Sequence, residues 1–144
     1  MMNINLEPDE FRKLVELAYL GEWMINAHHD TEYEDDSAAH ILQRLLATPG
    51  LADVGRDEET GEYYMETEWI ERLYDAYILD YDDHVFWDEL TERLSQRDLA
   101  RMRGVSTNDI VRDDDLLELR PLEEQYRTEL EEHGVDRLEM PTDY

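Results

Sequence analysis

The residues best suited to chemistry are five histidines and the acids spaced four positions from two of them. Asp36 and His40 are four apart, as are Asp80 and His84, a spacing that brings side chains together on a helix. A carboxylate beside an imidazole can orient it for proton transfer. It can also join it as a metal ligand if a second helix brings more acids opposite. The plainer expectation for each pair is a local ion pair or a helix cap, because Asp36 sits near a helix start and Asp80 in an expected turn. His28 and His29 are adjacent and point about 100° apart on a helix, so they form no ready-made chelate. His28 is expected at the centre of an apolar helix face, buried or half-buried against an acid, with a metal or catalytic role as the sharper alternative.

The missing patterns narrow the chemistry further. There is no Glu-x-x-His, so a di-iron carboxylate bundle lacks its ligand motif. There is no His-Glu-x-x-His and no cysteine, so the zinc frameworks and thiolate nucleophiles are absent. The acidic runs do not fit the calcium-loop spacing, and no Gly-rich phosphate loop or nucleophile elbow occurs. No cofactor is expected. Arg93, Arg97 and Arg101 recur every four residues, with Arg103 just after. Such a row can receive a carboxylate or phosphate. In a chain this acidic, it is more readily expected to pair with carboxylates of neighbouring helices.

Charge bounds the partners. The net charge is −26, with only Lys13 beside twelve arginines. Residues 1–60 carry net −10, 61–104 net −7 and 105–144 net −9, so no acidic tail stands apart from a neutral body. Binding to a nucleic-acid backbone or an anionic membrane needs a basic surface, and both are argued against. Basic partners would be attracted. The acid-rich, lysine-poor make-up also resembles that of proteins from salt-accumulating organisms, where screening makes the self-repulsion tolerable. The N-terminus lacks the basic and apolar regions of a signal peptide, and a cytoplasmic location is expected.

The elements that position these residues are read from periodicity. The 144 residues suggest a single helical domain over 1–144. A first helix is predicted over about 8–28, opened by Pro8, Asp9 and Glu10. Its apolar arc holds Phe11, Leu14, Val15, Leu17, Ala18, Leu20, Gly21, Met24 and Ile25, with Arg12, Glu16, Tyr19, Trp23 and Asn26 opposite. The arc exceeds half the circumference, so the helix is expected to be central. A second helix is predicted over 37–47, capped by Asp36 or Ser37 and stopped by "TPG". Residues 51–61 read as the most loop-like segment.

A third helix is expected over 62–79 and a fourth over 84–102, separated by "DYDD" and burying Phe86, Trp87, Leu90, Leu94 and Met102. Gly104 is read as its stop. Ser106 or Thr107 is expected to cap a short helix, and Pro121 to start a last one ending at Gly134.

Aromatics are the remaining lead. Tyr19 and Trp23 fall on the polar side of the first helix. Tyr33, Tyr63, Tyr64, Tyr81 and Tyr144 fall in or near loops. Clustered exposed aromatics mark interaction surfaces, and Trp23 is the best candidate, with a homodimer closing over the first helix as one form.

The fold expected is all-α, a compact domain of four to five helices with room for a short β element in the last third. The function expected is that of an acidic interaction or regulatory protein without catalytic activity, acting on a protein partner or on itself. A metal- or small-ligand-binding helical enzyme and a DNA-mimicking inhibitor of a basic protein are the alternatives.

Overall fold

In the computed structural model, which describes residues 3–30, 32 and 35–139, Pro8 opens the first helix as expected. Proline fits the first turn, where its missing N–H would have no partner. Glu10 folds back to accept a hydrogen bond from the Glu7 backbone N–H at 2.9 Å, closing the entry to α1 (Pro8–Asn26). Five elements follow: α2 (Asp36–Leu46), β1 (Val54–Arg56), β2 (Tyr63–Met65), α3 (Thr67–Leu73) and a π-helical turn (Tyr74–Ile78). Then come α4 (Leu79–Arg103), a short 3-10 turn (Thr107–Asp109) and α5 (Arg112–His133). The fold is all-helical, with four joined helices (α1, α2, the α3–α4 run and α5) and one small hairpin among the described residues. None of these helices is long and apolar enough to cross a membrane. The chain divides into two compact units, Met1–Asp80 and Tyr81–Tyr144.

The core of the first unit is Val15, Leu42, Leu46, Met65, Trp69 and Leu73. The face of α1 that meets it differs from the predicted arc by about a third of a turn at 100° per residue. Val15 and Asn26 are buried, and Phe11, Ala18, Tyr19 and Leu20 pack against the core. Leu17, Met24 and Ile25, assigned to the core by periodicity, are exposed. Polar side chains with dedicated partners cause the rotation. The Asp35 backbone N–H donates to the Asn26 side-chain oxygen at 2.7 Å, and the Asn26 amide donates to Glu22 at 3.0 Å. A hydrophobicity wheel turns such residues outward. A buried amide with partners is readily accommodated.

Asp35, rather than Asp36 or Ser37, caps α2, accepting from the Ser37 N–H at 2.9 Å. Gln43 of α2 brackets the hairpin. Its amide donates to the Tyr63 carbonyl at 2.8 Å and accepts from the Tyr63 N–H at 2.9 Å, so part of the outer edge of β2 is satisfied.

The β element lies here rather than in the last third: β1 falls in the segment read as loop, and β2 replaces the start of the third helix predicted over 62–79, which begins only at Thr67. Strands of three residues are too short to show alternation. Asp57 holds the connecting turn, accepting from the Glu59 and Thr60 N–H groups at 2.8 Å each. Gly55 pairs with Tyr64 across the strands, and a Cβ at position 55 would overlap the Tyr64 ring. Gly55→Ala is therefore expected to lower stability by about 1–3 kcal/mol, the range for inserting a carbon into filled space. A urea titration checks this, and an unchanged midpoint would mean the ring swings away without cost.

"DYDD" does not interrupt a helix. Helical backbone runs unbroken from α3 through the π turn into α4. No Gly or Pro occurs between Thr67 and Arg103, and an exposed Asp costs a helix only about 0.7 kcal/mol or less.

In the second unit, Leu99, Ala100, Ile110 and Leu119 form the buried cluster, with Leu122 against it. Phe86 and Met102, expected to be buried, are exposed, and Thr91 and Ser95 occupy the inner side of α4. Gly104, at φ 67°, ends α4. Ser106 caps the 3-10 turn, as one of the two expected residues. Pro121 lies inside α5 rather than at its start. It removes the donor to the carbonyl of Leu117, a residue 85% exposed, so water can take that bond. Gly134 takes φ 56° just past the end of α5, as predicted.

Candidate functional site

The histidines gather no ligand set with the acids around them among the described residues. His28 and His29 follow the end of α1, both exposed, with ring centroids 4.0 Å apart. The expected burial of His28 fails because α1 ends at Asn26 and its buried face lies elsewhere. Asp36 and His40 are exposed on α2, and no ion pair joins them. Asp80 and His84 are both exposed on α4, and His84 pairs forward with Asp88 at 3.3 Å instead. Among the described residues, no group of three or more His, Asp or Glu is placed to hold a metal ion.

The arginine row is engaged by carboxylates of its own helix and of α5. Arg93 pairs with Glu89 at 3.0 Å, one helical turn back. Arg97 donates to Asp98 at 2.9 Å and to the Tyr126 hydroxyl at 3.0 Å. Arg101 lies 3.7 Å from Asp98, and Arg103 reaches Asp115 at 2.8 Å and also Glu118.

Asp98 and Tyr126 deserve a chemical test, because they border a 740 Å³ groove on α5 edged by Pro121, Glu124, Gln125 and Glu129. The Tyr126 hydroxyl donates to Asp98 while accepting from Arg97. Burial pushes the Asp98 carboxyl upward, but hydrogen bonds from Arg97 and Tyr126 outweigh it and hold it below the usual aspartate range. Burial, then the hydrogen bond to Asp98, pushes the Tyr126 phenol up. A general acid or base works best with a pKa near the working pH. These two groups move away from neutrality in opposite directions, which suits a joint between α4 and α5 rather than proton transfer. Glu124 pairs with Arg127 and Glu129 with Arg137, so these carboxylates of the groove are also engaged.

A pH dependence follows from the sign of the Asp98 shift. Its depressed pKa means its contribution to stability is present above the ordinary aspartate range and is lost as pH falls through the folded-state value. Asp98→Asn should therefore be less stable than wild type at pH 7, with the gap closing toward pH 3. Urea midpoints at the two pH values test this. A gap that stays constant would show that Asp98 acts by shape alone.

In the first unit, the polar residues of α1 serve packing. The Arg12 guanidinium lies 3.8 Å from the Trp69 ring centroid and reaches Asp53 at 3.0 Å. The Trp69 indole donates to Glu16 at 3.1 Å, and Lys13 pairs with the same carboxylate. Burial raises the pKa of Glu16, while the hydrogen bonds from Lys13 and Trp69 more than reverse the effect. These contacts tie α1 to α3 and to the hairpin.

The outer face of α1 is different. Leu17 is 59% exposed, Met24 52% and Ile25 44%, and a Cβ built at Gly21 would meet nothing within 4 Å. These residues recur at helical spacing, so they form one apolar stripe. Close by, the Lys13 ammonium lies 5.9 Å from the centroid of the exposed Tyr77 ring. Trp23 is half-buried on the same half of the helix as Tyr19 and Asn26, and Tyr19 packs against the core. Tyr33 and Tyr144 lie outside the described residues. The sequence signal for the stripe was the width of the apolar arc: a helix with more than half its circumference apolar has more apolar surface than one core covers. No signal of that kind points to Tyr126 or Asn26, whose partners are set by tertiary packing. Comparison with protein-family models, curated proteins and solved structures finds no match to this chain.

Proposed function

We propose that this chain is an acidic helical interaction protein without catalytic activity, binding a protein partner through the outer face of α1. The observation that carries the reading is the stripe of Leu17, Met24 and Ile25 with open space over Gly21. Apolar side chains grouped on one exposed face mark contact sites more often than apolar residues scattered singly. Trp23 lies about 100° or more round the helix from Leu17, Met24 and Ile25, so the contact rests on those three side chains rather than on the indole. Tyr19 supports the helix from beneath. We place the work of the protein in the cytoplasm, consistent with a chain of 144 residues that holds no cysteine. Its contacts with a partner would be regulatory or structural.

The test is affinity capture from the native cell extract with three proteins. These are the wild type, the double variant Leu17→Glu with Met24→Glu, and Leu117→Glu as a control at an exposed leucine of α5. One stoichiometric partner should be held by the wild type and the control and lost by the double variant. A partner kept by the double variant, or a wild type that holds none, would overturn the reading.

A further inference from the structure

We infer that the partner segment docking on α1 is a basic amphipathic helix, which rests on the interaction reading and specifies its occupant. The charge around the stripe carries the argument. Asp9 and Glu10 stand exposed in the first turn of α1, and Asp30 and Glu32 stand exposed beyond its end. The stripe between them, Leu17, Gly21, Met24 and Ile25, is uncharged. The one lysine on this helix, Lys13, is engaged by Glu16. The first unit as a whole holds 20 acids and 5 bases.

The face is therefore apolar in its middle, with acids in its first turn and in the segment that follows the helix. At a rise of about 1.5 Å per residue, α1 spans about 28 Å, enough for five turns of a partner helix. Gly21 lets such a helix approach closely, because no side chain stands between its neighbours.

A second copy of this chain fits the same face poorly. Stacked in parallel, two copies of α1 would set Asp9 and Glu10 against Asp9 and Glu10. Stacked antiparallel, they would bring those residues toward the segment that holds Asp30 and Glu32. Either pairing brings acid toward acid, which opposes association. A helix with apolar residues along its centre and Arg or Lys toward both ends satisfies the whole face. Such helix-in-groove recognition takes its anchors at helical spacing.

The test uses the full chain and synthetic 18-residue peptides at physiological salt. One peptide carries leucines at helical spacing with arginines toward its ends. A second keeps the leucines and replaces the arginines by glutamines. A third scrambles the first. Calorimetry gives affinity, and methyl NMR reports on Leu17, Met24 and Ile25. The ordered basic peptide should bind at least tenfold more tightly than the other two, shift those methyls, and lose binding with Leu17→Glu and Met24→Glu. Leu17→Ser with Met24→Ser serves if the glutamate variant fails to fold. Equal binding of the glutamine peptide at the same methyls would overturn the basic partner and leave the interaction reading standing. So would a wild-type dimer, seen by sedimentation, that dissociates in the variant. Equal binding of the scrambled peptide, with those methyls unmoved, would overturn the docking face itself.

Discussion

Trp69→Ala should destabilise the first unit by about 3–5 kcal/mol, the range for truncating a buried large aromatic. The indole is 1% exposed and lies among Val15, Leu42, Leu46, Met65 and Leu73. Three losses coincide at this position. The cavity left behind is bordered by residues from α1, α2, β2 and α3, so no single element can collapse to fill it. The Arg12 guanidinium loses the ring it stacks on. Glu16 loses the indole N–H donor. Small domains are stable by about 5–15 kcal/mol, so the variant would keep a much smaller margin. Trp69→Phe should lose less, because most of the volume and the ring face remain while the hydrogen bond to Glu16 goes. Urea denaturation followed by circular dichroism separates the two variants. If Trp69→Phe loses as much as Trp69→Ala, the hydrogen bond rather than the packing dominates.

Leu119→Ala should cost about 2–5 kcal/mol. Leu119 is fully buried, and the cluster around it is small: Leu99, Ala100 and Ile110, with Leu122 at its edge. A thin core has few neighbours able to move into the vacated space. Leu117 provides the contrast, two residues away on the same helix and exposed. Leu117→Ala should change stability by about 0.5 kcal/mol or less. Thermal unfolding of both variants tests the placement of the α5 face. Similar losses for the two would show that α5 is turned differently from the arrangement described.

The features that were legible in the sequence are those set by backbone chemistry. Pro8 with Asp9 and Glu10 marked the start of α1. The "TPG" stretch marked the end of α2, and Gly104 and Gly134 the ends of α4 and α5. Each acts through local conformation, so no tertiary knowledge is needed. The facing of α1 was not legible, because Arg12, Glu16 and Asn26 are drawn inward by Trp69, Asp53 and Asp35, partners distant in sequence or beyond the helix end. The hairpin escaped because its strands are three residues long and its edge is completed by Gln43 of a helix. "DYDD" looked like a break because carboxylates cap helices as readily as they tolerate an exposed helical turn. The site suffered from the same problem. His28 was tied to a face that proved to lie elsewhere, and the apolar stripe was hidden in an arc read as wholly buried.

The central claim is that a partner docks on the outer face of α1. The most direct measurement is the methyl NMR spectrum of the protein titrated with the partner taken from affinity capture. The Met24, Leu17 and Ile25 methyls should shift and broaden in step with binding, while the buried Val15 and Leu119 methyls stay in place. Unmoved Met24 and Leu17 methyls, with shifts instead at Leu117 or Val111 on the other unit, would contradict it.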